Sequence, residues 1–441
     1  MPRHRPTARR LPRALWVTAA VLQSACTVMP DDRPLPAPPT PGRPTAPAPS
    51  PAPPPRPAPA PVPAPSPAPT PTPAPTPTPA PAPAPAPALP APPASAAEVR
   101  AVAQQVLPPR IGQRAKWVDE LGTAVAALSI PAQPHKVCAI AAIVEQESTW
   151  QEDPPVAGLA RIAKAELEKK RERLGIPKAV FDLALLKTSP NGRTYRQRLD
   201  TLRTERELSD LFEDMIREIP FGASLFGSQN PVRTGGATQV SIGFAAQLMA
   251  SRPYPWNPHG DARAEVFRRR GALYFGSAML LDYPVSYSRM IYRFADYNAG
   301  RYASRNAAVQ SLLARLTGQP IVPDGDLLRY RGGEPLPVAT DPSQAWKALA
   351  ALPGLGLAPG QIERDLRLEK RFEFEHTPTY RRLWALAEQR GVAMERERLP
   401  DIDLASPKIT RKLTTEWFAS RVQTRHDACM ARAAPARPAG T

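Results

Sequence analysis

The sequence contains few of the residues on which metal and redox chemistry depend. Its 441 residues include three cysteines and five histidines, and the histidines are not spaced like the ligands of a metal site. We find no phosphate-binding glycine loop, no zinc-ligand set and no nucleic-acid-binding motif. Alternating β-branched residues, which predict strands, are almost absent. The sequence therefore predicts an all-α protein that needs no cofactor or metal and does not bind nucleic acid.

The N-terminus lacks an apolar run long enough to span a bilayer, yet it has the three parts of a secretory signal. Five arginines precede the apolar residues 14–22, and Ser24 and Ala25 lead to Cys26. This order resembles a bacterial lipoprotein signal, which implies removal of residues 1–25 and a lipid on Cys26. Because Gln23 stands where leucine is usual, cleavage without lipidation is the alternative.

A lipidated Cys26 would anchor the protein to a membrane on the periplasmic side of the bacterial cell envelope. The residue after it is Thr27 rather than aspartate. By resemblance to other lipoproteins, this favours the outer membrane.

Proline is in large excess, with 61 residues that no ordinary globular composition explains. Most of them lie in an Ala/Pro/Thr/Ser tract, which we expect to form a linker of residues 26–94. Proline fixes φ and removes amide donors, so the tract should be extended polyproline II without a core. At about 3.1 Å per residue it would reach on the order of 200 Å. Such a spacer would let an anchored domain reach peptidoglycan, although a passive linker has the same composition.

The chain is strongly basic, with a formal charge of +17 from 57 basic and 40 acidic residues. Removal of the five leader arginines leaves +12. An excess of this size favours an anionic partner such as nucleic acid, acidic lipid or cell-wall polymer. The charge alone does not choose among these partners.

Helical spacing of apolar residues predicts helices throughout the rest of the chain. The predicted helices after the linker are 96–107, 113–128, a helix ending near 148, 156–174, 177–187, 193–217, 262–281, 286–297, 306–316, 342–352, 359–371, 377–390 and 407–433. We expect a main domain of 95–330 that carries a charged insertion at 152–220, and a helical extension of 331–441. The insertion is either a lid or wall over a cleft or an accessory bundle.

The strongest catalytic candidate is a glutamate near the end of the apolar helix within 139–150. At helical spacing, Glu147 follows Ile143 and Val144, so it lies at the edge of an apolar stripe that needs a core. Glu145 points elsewhere. A carboxyl group beside packed aliphatic side chains loses hydration, which raises its pKa and suits a general acid. The alternative is an ordinary glutamate at a helix end that reaches water.

Two later motifs give this glutamate a context, namely GGATQV at 235–240 and ADYNAG at 295–300. The ordered set of Glu-Ser, Gly-x-x-Gln-Val and Ala-x-Tyr-Asn-Ala-Gly resembles the lytic transglycosylases of the goose-lysozyme-like superfamily. The globular part also resembles an uncharacterised family of bacterial lipoproteins. The first resemblance implies a lysozyme-like helical fold. One departure is Ala237-Thr238, which stands where the family usually has Leu-Met.

The resemblance implies a single catalytic acid/base, Glu147. It also implies that Gln239 lies in the substrate cleft and that Tyr297 and Asn298 lie beside the carboxyl group. We further expect Gly235 and Gly236 to let the backbone approach a ligand closely, and Ser148 to support the carboxyl group. Each of these also has an ordinary structural explanation, such as a hydroxyl bonded backward along its helix, a core amide, a core phenol or a helix cap. We expect the neighbouring Asp296 to point outward into solvent.

The chemistry implied by the resemblance needs only one carboxylate, whereas ordinary glycosidases use two. Glu147 would protonate the oxygen between N-acetylmuramic acid and N-acetylglucosamine in peptidoglycan, and then take a proton from the muramyl 6-hydroxyl to close a 1,6-anhydro ring. Two alternatives stay open. One is a hydrolytic muramidase, in which Glu152, Asp153 or an insertion carboxylate positions water. The other is a non-catalytic, peptidoglycan-binding envelope lipoprotein.

The three cysteines leave one pair if Cys26 carries a lipid. Cys138 and Cys429 would then be able to join in an oxidising periplasm. The bond would clamp the C-terminal helix against the helix that carries Glu147. Two unpaired core thiols are the alternative.

Overall fold

The computed structural model describes residues 94–218, 230–331, 333–404 and 413–433. The predicted signal peptide of residues 1–25, Cys26 and all but the end of the linker lie outside the described residues.

The described chain is mostly helical. In chain order its helices are α1 (Ala96–Val106), α2 (Arg114–Ala127), α3 (Pro134–Ser148), α4 (Leu159–Arg173), α5 (Lys178–Leu185), α6 (Tyr195–Asp200), α7 (Glu205–Glu218), α8 (Ile242–Ser251), α9 (Ala262–Val266), α10 (Arg269–Leu281), α11 (Met290–Ala299), α12 (Ala303–Thr317), α13 (Gln344–Ala351), α14 (Pro359–Leu366), a 3₁₀ helix (Phe372–His376), α15 (Pro378–Gln389) and α16 (Thr415–Ala433). Among these residues, no helix is both long and apolar enough to cross a bilayer.

Among the described residues, three short antiparallel pairs of strands lie between the helices. They are β1 (Thr234–Gly235) with β2 (Val240–Ser241), β3 (Tyr330–Arg331) with β4 (Glu334–Pro335), and β5 (Asp403–Leu404) with β6 (Leu413–Thr414). In the first pair, Thr234 lies opposite Ser241 and Gly235 lies opposite Val240. This pair encloses the second sequence motif in a tight turn.

The main core is built around α3, whose residues from Val137 to Val144 are all buried. A helix that is apolar on every side must be surrounded by protein. Residues of α1, α2, α10, α11 and α16 share its core. Helix α16 packs closely on both α3 and α11. The last described helix is therefore part of the core that holds the candidate glutamate.

Two smaller cores flank the main one. One is formed by α4, α6 and α7 of the insertion together with Val232 and Phe267. The other joins α12 to α13, α14 and α15. The C-terminal region is thus divided, because α13–α15 pack on α12 whereas α16 packs in the main core.

Three of the predicted long helices are broken or shorter in the structure. The predicted helix 193–217 is two helices, because Thr204 and Glu207 exchange side-chain and backbone hydrogen bonds that begin α7 as a new helix. The predicted helix 262–281 breaks between α9 and α10, where the Arg268 backbone is extended. Of the predicted helix 407–433, residues 407–412 lie outside the described residues, Leu413–Thr414 pairs with Asp403–Leu404 as a strand, and α16 begins at Thr415.

The predicted disulfide is confirmed. Cys138 of α3 and Cys429 of α16 are bonded, with their Cα atoms 5.5 Å apart. The bond closes a loop of 291 residues in sequence separation. It ties the helix that carries Glu147 to the C-terminal helix.

Removing this bond should lower the free energy of unfolding. In the chain-entropy model, closing so long a loop stabilises the fold by at most roughly 5 kcal/mol. We expect the Cys138→Ala/Cys429→Ala double variant to lose several kcal/mol in guanidinium unfolding followed by circular dichroism. Either single variant should lose a similar amount, and dithiothreitol should destabilise only the wild-type chain. Equal midpoints for the wild-type chain and the double variant would contradict this expectation.

Candidate functional site

Glu147 lies at the C-terminal end of α3 and is buried, with 3% of its surface exposed. The sequence pattern predicted a position at the edge of the apolar stripe, and the surrounding helices cover that edge completely. Glu145, two residues earlier, is only partly buried. The Ser148 hydroxyl donates to the Val144 carbonyl oxygen at 2.8 Å, so its proton is used within the helix. Ser148 thus takes the backbone-bonded alternative and keeps only its oxygen lone pairs for other contacts.

The turn after Glu147 is unusual. Thr149 and Trp150 both have left-handed backbone conformations, with φ of 50° and 63°. Such conformations are uncommon outside glycine, and a bulky residue there is a real outlier. Each costs on the order of 1–3 kcal/mol, so the surrounding structure must hold it. Trp150 is buried and packs edge-on against Trp117, with ring centroids 5.3 Å apart. This packing holds the end of α3 in place.

The second motif forms the turn between β1 and β2, where Gly236 has a φ of 70°. A Cβ atom at Gly236 would collide with the backbone of Val266, and one at Gly235 would collide with the Phe267 ring. We expected these glycines to let a ligand approach the backbone. The structure instead shows close approach to the protein's own 266–267 segment, which excludes a side chain at both positions.

Ala237 and Thr238 stand where the transglycosylases usually have Leu-Met, and their surroundings leave little space. Both residues are fully buried. The Thr238 hydroxyl donates to the Ala272 carbonyl oxygen of α10 at 2.8 Å. A Cβ atom at Gly276 of the same helix would lie only 2.8 Å from the Thr238 side chain. Small side chains in the motif therefore match a close contact with α10.

Gln239 is buried, and its backbone also has a left-handed conformation, with a φ of 50°. Its Nε2 donates to a Glu205 carboxylate oxygen at 2.8 Å. Its Oε1 accepts a hydrogen bond from the Thr234 hydroxyl at 3.3 Å. Both ends of the amide thus have partners within the protein. Sequence reasoning did not single out Glu205, because no local pattern links two residues 34 positions apart.

Tyr297 joins the third motif to the second. Its hydroxyl, at the end of α11, donates to the Thr238 carbonyl oxygen at 2.7 Å. The ring packs against the main core. Asn298 turns toward the C-terminal helix, and its Oδ1 accepts from the Thr415 hydroxyl at 2.9 Å. Tyr297 and Asn298 therefore tie α11 to two different parts of the chain.

The expectation that Asp296 points into solvent is wrong, because this residue is fully buried. Its carboxylate accepts hydrogen bonds from the Tyr302 and Ser304 amides at 2.8 and 2.7 Å, and from the Tyr287 hydroxyl at 2.6 Å. Burial raises the pKa of Asp296, and these hydrogen bonds offset part of the shift. The first amides of a helix have no acceptor within that helix, and the Asp296 carboxylate accepts hydrogen bonds from amides at the start of α12. It thereby fixes the turn after Asn298.

The structure brings the three motifs around one apolar core. Val144, Trp150, Ala237, Val240 and Ala295 are all buried in it. Six described residues other than glycine have positive φ, and four of these lie in or directly beside the motifs. Clustered backbone strain of this kind is typical of functional sites. Within the described ranges, no group of three or more His, Cys, Asp and Glu side chains is arranged to hold a metal ion.

Removing the Asp296 carboxylate should destabilise the fold, because several buried donors would lose their acceptor. We expect Asp296→Ala to lower the free energy of unfolding by roughly 3 kcal/mol or more in urea titration. Asp119→Ala is a matched control. Its exposed ion pair with Arg100 contributes at most about 1 kcal/mol. Similar losses in the two variants would contradict a special role for Asp296.

Comparison with known proteins gives the following. The family model described as "Protein of unknown function (DUF1615)" matches residues 110–432. The protein described as "Uncharacterized protein YaiW", from Escherichia coli (strain K12), is 46% identical over 336 residues. The alignment covers 76% of this chain and 90% of that protein. No solved structure matches the chain.

Proposed function

The chain belongs to the DUF1615 family, and we propose that it is a lytic transglycosylase that cleaves peptidoglycan with Glu147 as its single acid/base. The proposal includes a lysozyme-like arrangement of the main helices. It also includes an anchor at Cys26 that holds the protein at the periplasmic side of the cell envelope, with the proline-rich linker as its tether.

The observation that carries the proposal is the hydrogen bond from the Tyr297 hydroxyl to the Thr238 carbonyl oxygen, 2.7 Å long. It joins two motifs that lie 59 residues apart. The residue after Thr238 is Gln239, and both motifs border the core that contains α3, the helix whose last turn carries Glu147. A carboxyl group, an amide and a phenol from three distant segments are the parts that a one-carboxylate glycan-cleaving site needs.

In the proposed reaction, Glu147 gives its proton to the glycosidic oxygen as the bond to the muramyl C1 breaks. The leaving sugar departs as an alcohol, and the acetamido carbonyl of the muramyl residue stabilises the developing oxocarbenium ion. The Glu147 carboxylate then takes the proton of the muramyl 6-hydroxyl, whose oxygen bonds to C1. The carboxyl group is restored and no water is consumed. General acid–base assistance of this kind contributes roughly 10²–10⁴-fold in rate.

Tyr297 would support this chemistry without adding charge. Because its proton is donated to Thr238, its oxygen can act only as an acceptor toward a further group. A protonated carboxyl group or a sugar hydroxyl would suit that oxygen.

A hydrolytic muramidase is the second candidate, and Asp153 is the observation that favours it. Asp153 follows Glu147 by six positions. Burial raises its pKa, as expected for a carboxyl group that is partly removed from water. In this alternative the Asp153 carboxylate would hold a water molecule that attacks the muramyl C1, and the product would be a reducing sugar.

Mass spectrometry of peptidoglycan sacculi digested with the full chain tests the proposal. We expect 1,6-anhydro-muropeptides from the wild-type protein and a loss of at least a hundredfold in their release by Glu147→Gln. Glu145→Gln is the matched control, because it makes the same change on a partly buried position of the same helix. Reducing muropeptides would favour the muramidase. Release by Glu147→Gln at the wild-type rate would refute the assignment, and no release by any variant would favour a non-catalytic binder.

A further inference from the structure

Helices α4–α7 form the insertion between the first and second motifs, and they contribute Glu205 to the candidate site. We propose that Glu205 is a positioning residue that orients the Gln239 amide, and that the insertion forms one wall of the substrate groove. Because the groove belongs to the proposed activity, this role of Glu205 depends on that function.

The insertion is closed at its base. Pro155 and Thr204 form an antiparallel bridge, and the Val156 amide donates to the Arg203 carbonyl oxygen at 2.7 Å. The bridge therefore returns the start of α7 to the segment that leaves the main domain soon after the strained turn at the end of α3. Glu205 is the first residue after the bridged Thr204, so the bridge sets the position of this carboxylate.

The contact between Glu205 and Gln239 is direct and shielded from solvent. Glu205 is 8% exposed and accepts the Gln239 Nε2 hydrogen bond at 2.8 Å. An ionised carboxylate only accepts hydrogen bonds, so it must face the NH₂ end of the amide. The Thr234 hydroxyl lies at the opposite, carbonyl end. These two partners together fix which way the amide points.

Helix α7 is also held further along the face that carries Glu205, so the position of Glu205 is set by the fold. The Asn230 side-chain amide donates to Glu213 at 2.9 Å, and Arg263 donates to the Ser209 hydroxyl at 3.2 Å. Ser209 and Glu213 lie on α7 with Glu205, whereas Asn230 and Arg263 lie in the main domain. These contacts fix α7 against the segments that precede and follow the second motif.

Asp153 provides an independent sign of this proximity. Burial is the main cause that raises its pKa, and the negative charges of Glu207 and Glu205 raise it further. A hydrogen bond with Thr204 and the charge of Arg206 oppose the shift. Asp153, in the segment after α3, therefore lies close enough to the carboxylates at the start of α7 for their charges to raise its pKa. Placing several carboxylates together is costly, so each one needs a partner such as the Gln239 amide.

The Gln239 Nε2 also donates to the Gly236 carbonyl oxygen at 3.5 Å, so an oriented Gln239 would leave one oxygen lone pair for the substrate. That lone pair suits the acetamido N–H or a hydroxyl group of an amino sugar. Without Glu205 the amide could rotate and present the wrong end. This change would weaken substrate binding while leaving proton transfer at Glu147 largely intact, so it should raise KM more than it lowers kcat.

The test uses the full chain with Glu205→Ala, Glu205→Asp and Glu205→Gln, and measures the rate of muropeptide release against sacculus concentration. We expect Glu205→Ala to raise KM about tenfold, the cost of one charge-assisted hydrogen bond, with kcat changed by less than about twofold. Glu205→Asp should also raise KM, because it withdraws the acceptor by one methylene. Glu205→Gln keeps an acceptor at the same reach and should restore much of the affinity.

Glu207→Gln is the matched control, because Glu207 is exposed on the same helix and bonds only the backbone that begins α7 among the contacts described. It should leave KM unchanged. Thermal unfolding of each variant checks that the chain is folded. If Glu205→Ala does not fold, Glu205→Asp decides. A wild-type KM in the folded alanine or aspartate variant would overturn the proposal.

The outcome also separates this inference from the proposed function. If the wild-type chain releases no muropeptides, the catalytic assignment fails, and sedimentation of the Glu147→Gln chain with sacculi then tests the groove. Adding Glu205→Ala to that chain should weaken sedimentation about tenfold. Equal sedimentation, or none by the Glu147→Gln chain, would overturn the role of Glu205.

Discussion

The burial of α3 on every side is the constraint on which the rest of the structure depends. Eleven of its fifteen residues are buried, and they include the polar run from Gln146 to Ser148 at its end. An apolar helix contributes most when it is covered completely, because each buried large aliphatic side chain contributes about 1.5–3 kcal/mol. Because α3 is covered completely, the polar side chains at its end, Gln146 to Ser148, are buried as well. The strained turn at Thr149 and Trp150 ends the helix there, so Glu147 remains inside.

The polar contacts of the second and third motifs are anchors between distant segments of the chain. Tyr297 bonds the second motif, Gln239 bonds the insertion, and Asp296 holds the turn that leads into α12. Each contact satisfies a buried polar group that would otherwise cost free energy. Together they place the three motifs against one core. The left-handed residues in and beside these motifs indicate that this geometry is maintained despite its cost.

The C-terminal helix has a larger part in the site than its position in the sequence suggests. It packs on α3 and α11, it is bonded to α3 through Cys138 and Cys429, and Thr415 at its beginning contacts Asn298. Helices α13–α15, which precede it, build a separate core on α12. A chain end can therefore complete the main core after a long excursion, because a disulfide and apolar packing both act at short range whatever the sequence separation.

Local sequence determined the helical class, most helix positions and the apolar cover of α3, because periodicity acts over one or two helical turns. Counting cysteines named Cys138 and Cys429 as the candidate pair, but only the packing of α16 on α3 decided that they bond. The burial of Asp296, the breaks within the predicted helices 193–217 and 262–281, and the contact between Glu205 and Gln239 were decided only by the tertiary structure. A hydrogen bond between residues 34 or 59 positions apart leaves no periodic trace in the sequence. Only the packing of whole helices brings those donors and acceptors within reach.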